Sequence, residues 1–237
     1  MNMNMEMDPN GNHKEVEFRE PKLFKYLFIL SHIIGIAAIV LTGVWSAKFY
    51  NGFGFENPFQ EFNFHPVFMV AMTYLCGNAM LMYRALRFRP RMTVKWLHTV
   101  FHALSLLVSA FALFAVIDFH NRANFANFYS LHSWMGIFCC VFYAAKFIVS
   151  FTVYMLPCVP TSARKLIMPM HIFGGILVFV LLIASCLTGF TEKIMFRHSK
   201  DWSMRQPIGL YVNLIGVLLM SYGALVGLMV YVTEFKI

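Results

Sequence analysis

Six long apolar stretches restrict what this chain can fold into more than any other feature. They run Leu23–Ala47, His65–Leu86, Val94–Phe119, Leu131–Leu156, Ile167–Phe190 and Ile208–Val232. Each is long enough to cross a hydrocarbon layer of about 30 Å, which takes roughly 20 helical residues. The composition agrees. Of 237 residues, 59% are hydrophobic and 13% charged, whereas a soluble domain carries about a quarter charged residues. The sequence therefore predicts an all-α membrane protein with six transmembrane helices. Residues 1–22 are a polar N-terminal segment, 23–232 the six-helix unit and 233–237 a short tail. The connections leave no room for a separate soluble domain. The N-terminal segment carries both charge signs and no apolar core, so it does not read as a cleavable signal peptide. The first span is expected to act as the insertion signal.

Charge sets the expected topology. Lys14, Arg19, Lys22, Lys25, Arg84, Arg87, Arg89, Arg91, Lys95, Arg164, Lys165 and Lys236 fall on one side of the membrane. The other side holds Lys48, Arg122, Lys193, Arg197, Lys200 and Arg205, while Lys146 lies inside the fourth span. The positive-inside bias puts both termini in the cytosol. The net charge of +8 is thus read as topology, not as a nucleic-acid footprint. The location expected is a plasma, endosomal, lysosomal or secretory-vesicle membrane, and no sorting signal stands out in Glu234–Ile237.

Four histidines stand at or about one turn inside the starts of four successive spans: His65, His98, His132 and His171. Consecutive spans run in opposite directions. His65 and His132 therefore approach the outer face, and His98 and His171 the cytosolic face. Ionisable side chains in lipid are costly and tend to be functional. One such histidine reads as a hydrogen bond between helices. Four at matched depths read as ligands. If the second to fifth spans form a central four-helix bundle, each pair faces across its interior, where bundles hold cofactors. The two layers would lie roughly 20 Å apart. Zinc usually takes four ligands, and each layer offers two imidazoles. Two axial imidazoles saturate a haem iron and suit it to electron transfer.

Other residues allow several readings. His102 lies one turn past His98 on the same face and is an alternative ligand. His32 reads as a structural hydrogen-bonder, and His13 and His198 as solvated. His120, at the outer end of the third span, reads equally as a loop histidine and as a contact for a small substrate or metal ion. Gly174 and Gly175 serve close helix packing or room for a macrocycle equally well. Cys76, Cys139, Cys140, Cys158 and Cys186 lie in or beside apolar segments as small hydrophobes. Their spacing suggests neither zinc, disulfides nor covalent haem attachment.

Several motifs form an ordered set: Phe62-Asn63-Phe64-His65-Pro66, Tyr129-Ser130-Leu131-His132-Ser133-Trp134, Met168-Pro169-Met170-His171 and Leu187-Thr188-Gly189-Phe190-Thr191-Glu192-Lys193. On these the chain resembles the eukaryotic cytochrome b561 family, ascorbate-reducible transmembrane cytochromes with two haems, from about Phe62 to Asn213. The resemblance implies two b-type haems (protohaem IX), bis-histidine ligated by His65 with His132 and by His98 with His171. It favours His98 over His102. It implies a haem-propionate role for Arg84, and a cytosolic ascorbate site at Arg91, Lys95 and Arg164. Arg91 stands where several relatives carry lysine. Tyr143 is implied as a contact of the cytosolic haem or donor, with packing an equal reading. At the outer side, Asn127 to Ser130 and Glu192 are implied beside the haem, and His120 and Asn213 near the acceptor. Ile208 replaces an acidic residue seen in several relatives. Homodimers are also implied by the resemblance.

The expected function is electron transfer from cytosolic ascorbate, through two haems, to monodehydroascorbate or a ferric chelate across the bilayer. Charge-assisted bonds from Arg and Lys suit the ascorbate anion. Two other readings stay open: a haem-bearing membrane anchor of a larger quinone-linked redox complex, and a histidine-based metal transporter.

Overall fold

A polar N-terminal hairpin precedes seven helices in the computed structural model, which describes residues 4–7, 13–16, 22–198 and 206–232. The charges at Lys14, Arg19, Lys200, Arg205 and Lys236, and the side chains of His13 and His198, lie outside what is described. The hairpin pairs β1 (Asn4–Met7) with β2 (His13–Val16) antiparallel. It adds a small β element to the all-α expectation.

The helices are α1 (Lys22–Phe49), α2 (Pro58–Glu61), α3 (Phe64–Ala85), α4 (Arg91–Arg122), α5 (Leu131–Tyr154), α6 (Thr161–His198) and α7 (Pro207–Tyr231). Six of them are long and apolar enough to cross a membrane, α2 continuing into α3 as one of the six. Local chemistry sets their starts. Asn57 accepts the amide of Phe59, with Pro58 in the first turn of α2. Ser130 and Ser133 form a reciprocal capping box at α5, satisfying amides that a helix start leaves without partners. Pro207 opens α7, where its missing N–H costs nothing.

Helix α6 departs most from the apolar pattern. It has 38 residues, a length of about 57 Å. It starts at Thr161 rather than Ile167 and passes Phe190 by two turns. Hydropathy reports only the part of a helix in hydrocarbon; the extra turns carry Arg164 and Lys165 at one end and Lys193 and Arg197 at the other. His171 consequently sits almost three turns inside α6, although it is near the start of the apolar stretch.

Helices α3, α4, α5 and α6 pack in a ring, each against the next, and α6 returns to α3. Helices α1 and α7 pair with one another and lie against α3. The interior between these layers holds Met72, Cys76, Tyr143, Leu182 and Tyr222 in one cluster. A second cluster contains Trp45, Val70, Phe190 and Ile215. Buried polar groups join helices: Ser105 donates to Met72 O at 2.9 Å, and Tyr222 to Tyr74 O at 2.8 Å. The outward faces are apolar, with Leu131 71% and Leu166 80% exposed, as lipid-facing side chains require. Cys76, Cys139, Cys140 and Cys186 are buried, but Cys158 is exposed in the α5–α6 connection.

Candidate functional site

The ring of α3–α6 brings the four histidines together in two pairs. The His65 and His132 ring centres are 6.2 Å apart, and those of His98 and His171 are 6.1 Å apart. A metal–nitrogen bond of about 2.0 Å plus about 1.1 Å to the ring centre puts two trans imidazole centres about 6.2 Å apart. Both separations match that span.

Hydrogen bonds leave one nitrogen of each ring for a ligand. His65 Nδ1 donates to Ala112 O at 3.0 Å, His98 Nδ1 to Ala79 O at 2.8 Å, and His132 Nδ1 to Ser185 O at 2.9 Å. A carbonyl can only accept, so Nδ1 carries the proton and Nε2 keeps its lone pair. This is how metal-binding histidines are usually held. The three acceptors follow one rule. Ala79 lies fourteen residues past His65, Ala112 fourteen past His98, and Ser185 fourteen past His171. Fourteen residues of helix span about 21 Å, which is the spacing between the layers along each helix.

His171 is held differently. Its Nδ1 faces Ser150 Oγ at 2.9 Å and Lys146 Nζ at 3.5 Å, both on α5. His102 Nδ1 is hydrogen-bonded to the Tyr143 hydroxyl, with Tyr143 buried in the bundle. Tyr143 thus touches His102. His98 is the histidine paired across the interior with His171. His32 bonds Phe28 O within α1 at 2.8 Å.

Around the first pair lies a cavity of about 570 Å³, lined by His65, His132, Asn127, Ser130, Glu192 and His120 among others. Its size falls within the usual range of about 300–1,000 Å³ for ligand sites. Gly189 permits the approach of the His132 ring: a Cβ there would stand 2.6 Å from His132 Cε1. The cavity continues past Phe125 and Phe128 to the end of α4. Phe128 has φ of 56°, a conformation costly for a bulky residue, and its carbonyl accepts Trp134 Nε1 at 2.9 Å. Tyr129 lies against His120; burial and then the Glu192 carboxylate push its phenol upward, so the hydroxyl keeps its proton. Asn127 donates to Asn121, and His120 Nδ1 to Ala126 O at 3.1 Å. Asn213 is exposed on α7 and is not among the cavity's lining residues.

Sequence reasoning missed two cations here. Lys193 Nζ stands 3.5 Å from the Phe62 ring centre, and Arg197 packs over Phe59; both line the cavity. The Glu192-Lys193 motif was the available signal, read only for its acid. Arg122 was also missed. It donates to Glu61 Oε2 at 2.7 Å, Phe55 O at 2.8 Å and Glu56 O at 2.7 Å, fastening the α1–α2 connection to α4.

At the opposite end, two of the cationic residues double as helix caps. Arg84 Nη2 donates to Val230 O at 2.7 Å at the end of α7, and Lys95 Nζ to Tyr154 O at 2.9 Å at the end of α5. Arg164 donates to Val159 O and Leu156 O, each at 2.9 Å. Cations at helix C-termini meet carbonyls left without partners. Arg91 is exposed at the first turn of α4. The Lys146 side chain lies over Gly174 and Gly175: a Cβ on Gly174 would stand 3.0 Å from its Cε, and one on Gly175 3.7 Å from its Nζ.

Among the described residues no three His, Cys, Asp or Glu side chains converge as a metal group. The donor sets are two imidazole pairs, with a cavity at the His65/His132 pair, and such pairs would suit a haem better than a zinc ion that wants four ligands.

Residues 64–197 match the family described as eukaryotic cytochrome b561. The chain is 33% identical over 207 residues to the transmembrane ascorbate-dependent reductase CYB561 of Mus musculus, covering 87% of this chain and 82% of that protein. It is 35% identical over 212 residues to the lysosomal membrane ascorbate-dependent ferrireductase CYB561A3 of Danio rerio, covering 86% of each. The plasma membrane ascorbate-dependent reductase CYBRD1 of Xenopus laevis is 33% identical over 223 residues, 91% of this chain and 77% of that protein.

Proposed function

Since the chain belongs to the eukaryotic cytochrome b561 family and is a membrane oxidoreductase, we propose that it moves electrons across a bilayer from ascorbate to an acceptor on the far side. Two b haems, held by His65 with His132 and by His98 with His171, supply one-electron carriers at two depths when bound. The observation that carries this reading is the pair of imidazole separations, 6.2 and 6.1 Å, at the two ends of one bundle.

The chain's own groups do the rest. The Nδ1–H bonds of His65, His98 and His132 fix each ring's tautomer and aim its Nε2 inward. Arg91, Lys95 and Arg164 attract and orient the ascorbate anion at the cytosolic end. Lys95 already bonds the last carbonyl of α5 and Arg164 two carbonyls of the α5–α6 connection, so donor binding also steadies that connection. At the outer end His120, Asn127, Lys193 and Arg197 line the route by which monodehydroascorbate or a ferric chelate approaches. The lipid-facing apolar belt excludes water and counterions from the interior, so charges there act at longer range. The bias of cations puts both termini in the cytosol, with residues 1–22 and 233–237 flanking the membrane unit.

The test is ascorbate reduction of purified protein, followed by visible absorption and a pyridine haemochromogen assay. Two b haems per chain, both reduced by ascorbate, are expected. A preparation without b-type bands, or with one haem per chain, overturns the reading. Vesicles loaded with ascorbate and offered ferric chelate or monodehydroascorbate outside then identify the acceptor.

A further inference from the structure

The fourteen-residue rule has one exception, and it falls on a charged residue inside the bundle. Three ligand histidines donate Nδ1–H to a backbone carbonyl fourteen residues past a histidine of the other layer. For His171 that position, counted from His132 on α5, is residue 146. Its side chain, not its carbonyl, meets the ring: Lys146 Nζ is 3.5 Å from His171 Nδ1, with Ser150 Oγ, one turn on, at 2.9 Å.

Lysine in a membrane helix ordinarily extends toward the headgroups. Lys146 does not. Its Cδ and Cε lie along Gly174, and its Nζ is 3.7 Å from where a Cβ of Gly175 would stand. Two consecutive glycines of α6 thus form the groove that directs the amine to the imidazole. An ionisable group built into a bundle interior in this way points to function.

We propose that Lys146 is a tuning residue: its ammonium, held against the Nδ1 edge of His171, raises the reduction potential of the haem at the His98/His171 centre and makes the two centres unequal. The proposal rests on the haem ligation proposed above. Two effects act in the same direction. A carbonyl acceptor draws on Nδ1–H and makes the imidazole a stronger donor to oxidised iron. His171 has a hydroxyl instead, and an ammonium has donors only, with no lone pair to offer. Reduction also removes one positive charge from the iron, so a fixed cation nearby favours the reduced state, and more so in a medium of low dielectric. The centre at the donor end becomes the easier one to reduce.

The experiment compares the full-length protein with Lys146→Met, Lys146→Gln and Lys146→Arg. The haem content of the wild type is measured first; fewer than two b haems per chain defeats the ligation reading itself. Mediated redox titrations, followed by visible absorption and by the low-spin ferric EPR signals, then give both midpoints. Expected is a fall in one midpoint in the Met and Gln variants, no change in the other, and retention of the wild-type value in the Arg variant. The same titration in a His132→Leu background, which keeps only the His98/His171 pair, assigns the shifted component. Two haems with both midpoints unchanged in Met and Gln, or a rise, overturns the proposal. Loss of haem from all three variants also overturns it, in favour of a purely structural lysine.

Discussion

Replacing Gly189 by alanine tests the first centre through one methyl group. A Cβ there would stand 2.6 Å from Cε1, 3.0 Å from Nδ1 and 3.1 Å from Nε2 of His132. Carbon contacts relax at about 3.5–4.0 Å, so the ring must retreat by about 1 Å. Overpacking of this kind costs about 1–3 kcal/mol. The retreat also pulls Nδ1 away from Ser185 O, now 2.9 Å distant, a bond with a net value of about 1 kcal/mol. If about 2 kcal/mol of this total falls on ligand placement, affinity for the haem held by His65 and His132 drops about 30-fold. Haem per chain in purified protein, with the EPR signal of each centre, measures it. The expected result is partial or complete loss of one haem and an unaltered signal from the His98/His171 centre. Gly227→Ala is the control, because a Cβ there meets nothing within 4 Å. If Gly189→Ala retains two haems, wild-type spectra and the same stability as Gly227→Ala, the packing argument is wrong.

Substituting His65 or His132 by alanine should remove one haem, and His98 or His171 the other, each variant keeping one haem per chain; His102→Ala should keep two. Arg122→Ala leaves Glu61, 1% exposed, without its cation. Breaking a fully buried pair costs about 3–5 kcal/mol; with Arg122 36% exposed, about 2 kcal/mol is expected, seen as a lower unfolding temperature in detergent. Arg91→Gln should raise the apparent KM for ascorbate about tenfold, as loss of one charge-assisted bond of about 1.5 kcal/mol requires, with haem content unchanged. An unaltered KM would remove Arg91 from the donor site.

The spans were legible because the hydrocarbon core imposes one length on every apolar run. The bundle ring and the facing of His65 with His132 could be argued from alternation alone: helices that reverse at each connection return every second start to the same face. The ends of α6 were not legible, since turns outside the hydrocarbon carry no hydropathy signal. The same limit concealed that Arg84 and Lys95 bond helix-end carbonyls, and Arg164 carbonyls of the α5–α6 connection, while carrying the charge that suggested an anion site. Gly174 and Gly175 were visible as small residues, but what they make room for depends on a side chain of another helix.

Sequence alone therefore determined that this chain lies in lipid, in six helices, with imidazoles at two depths, because solvation by hydrocarbon acts on each residue separately. Only the tertiary structure decided that Nδ1 of each ring is taken by a neighbouring helix, that Gly189 admits His132, and that Lys146 and Ser150 rather than a carbonyl meet His171. Those outcomes depend on contacts between helices far apart in sequence, set by packing at the scale of a single atom.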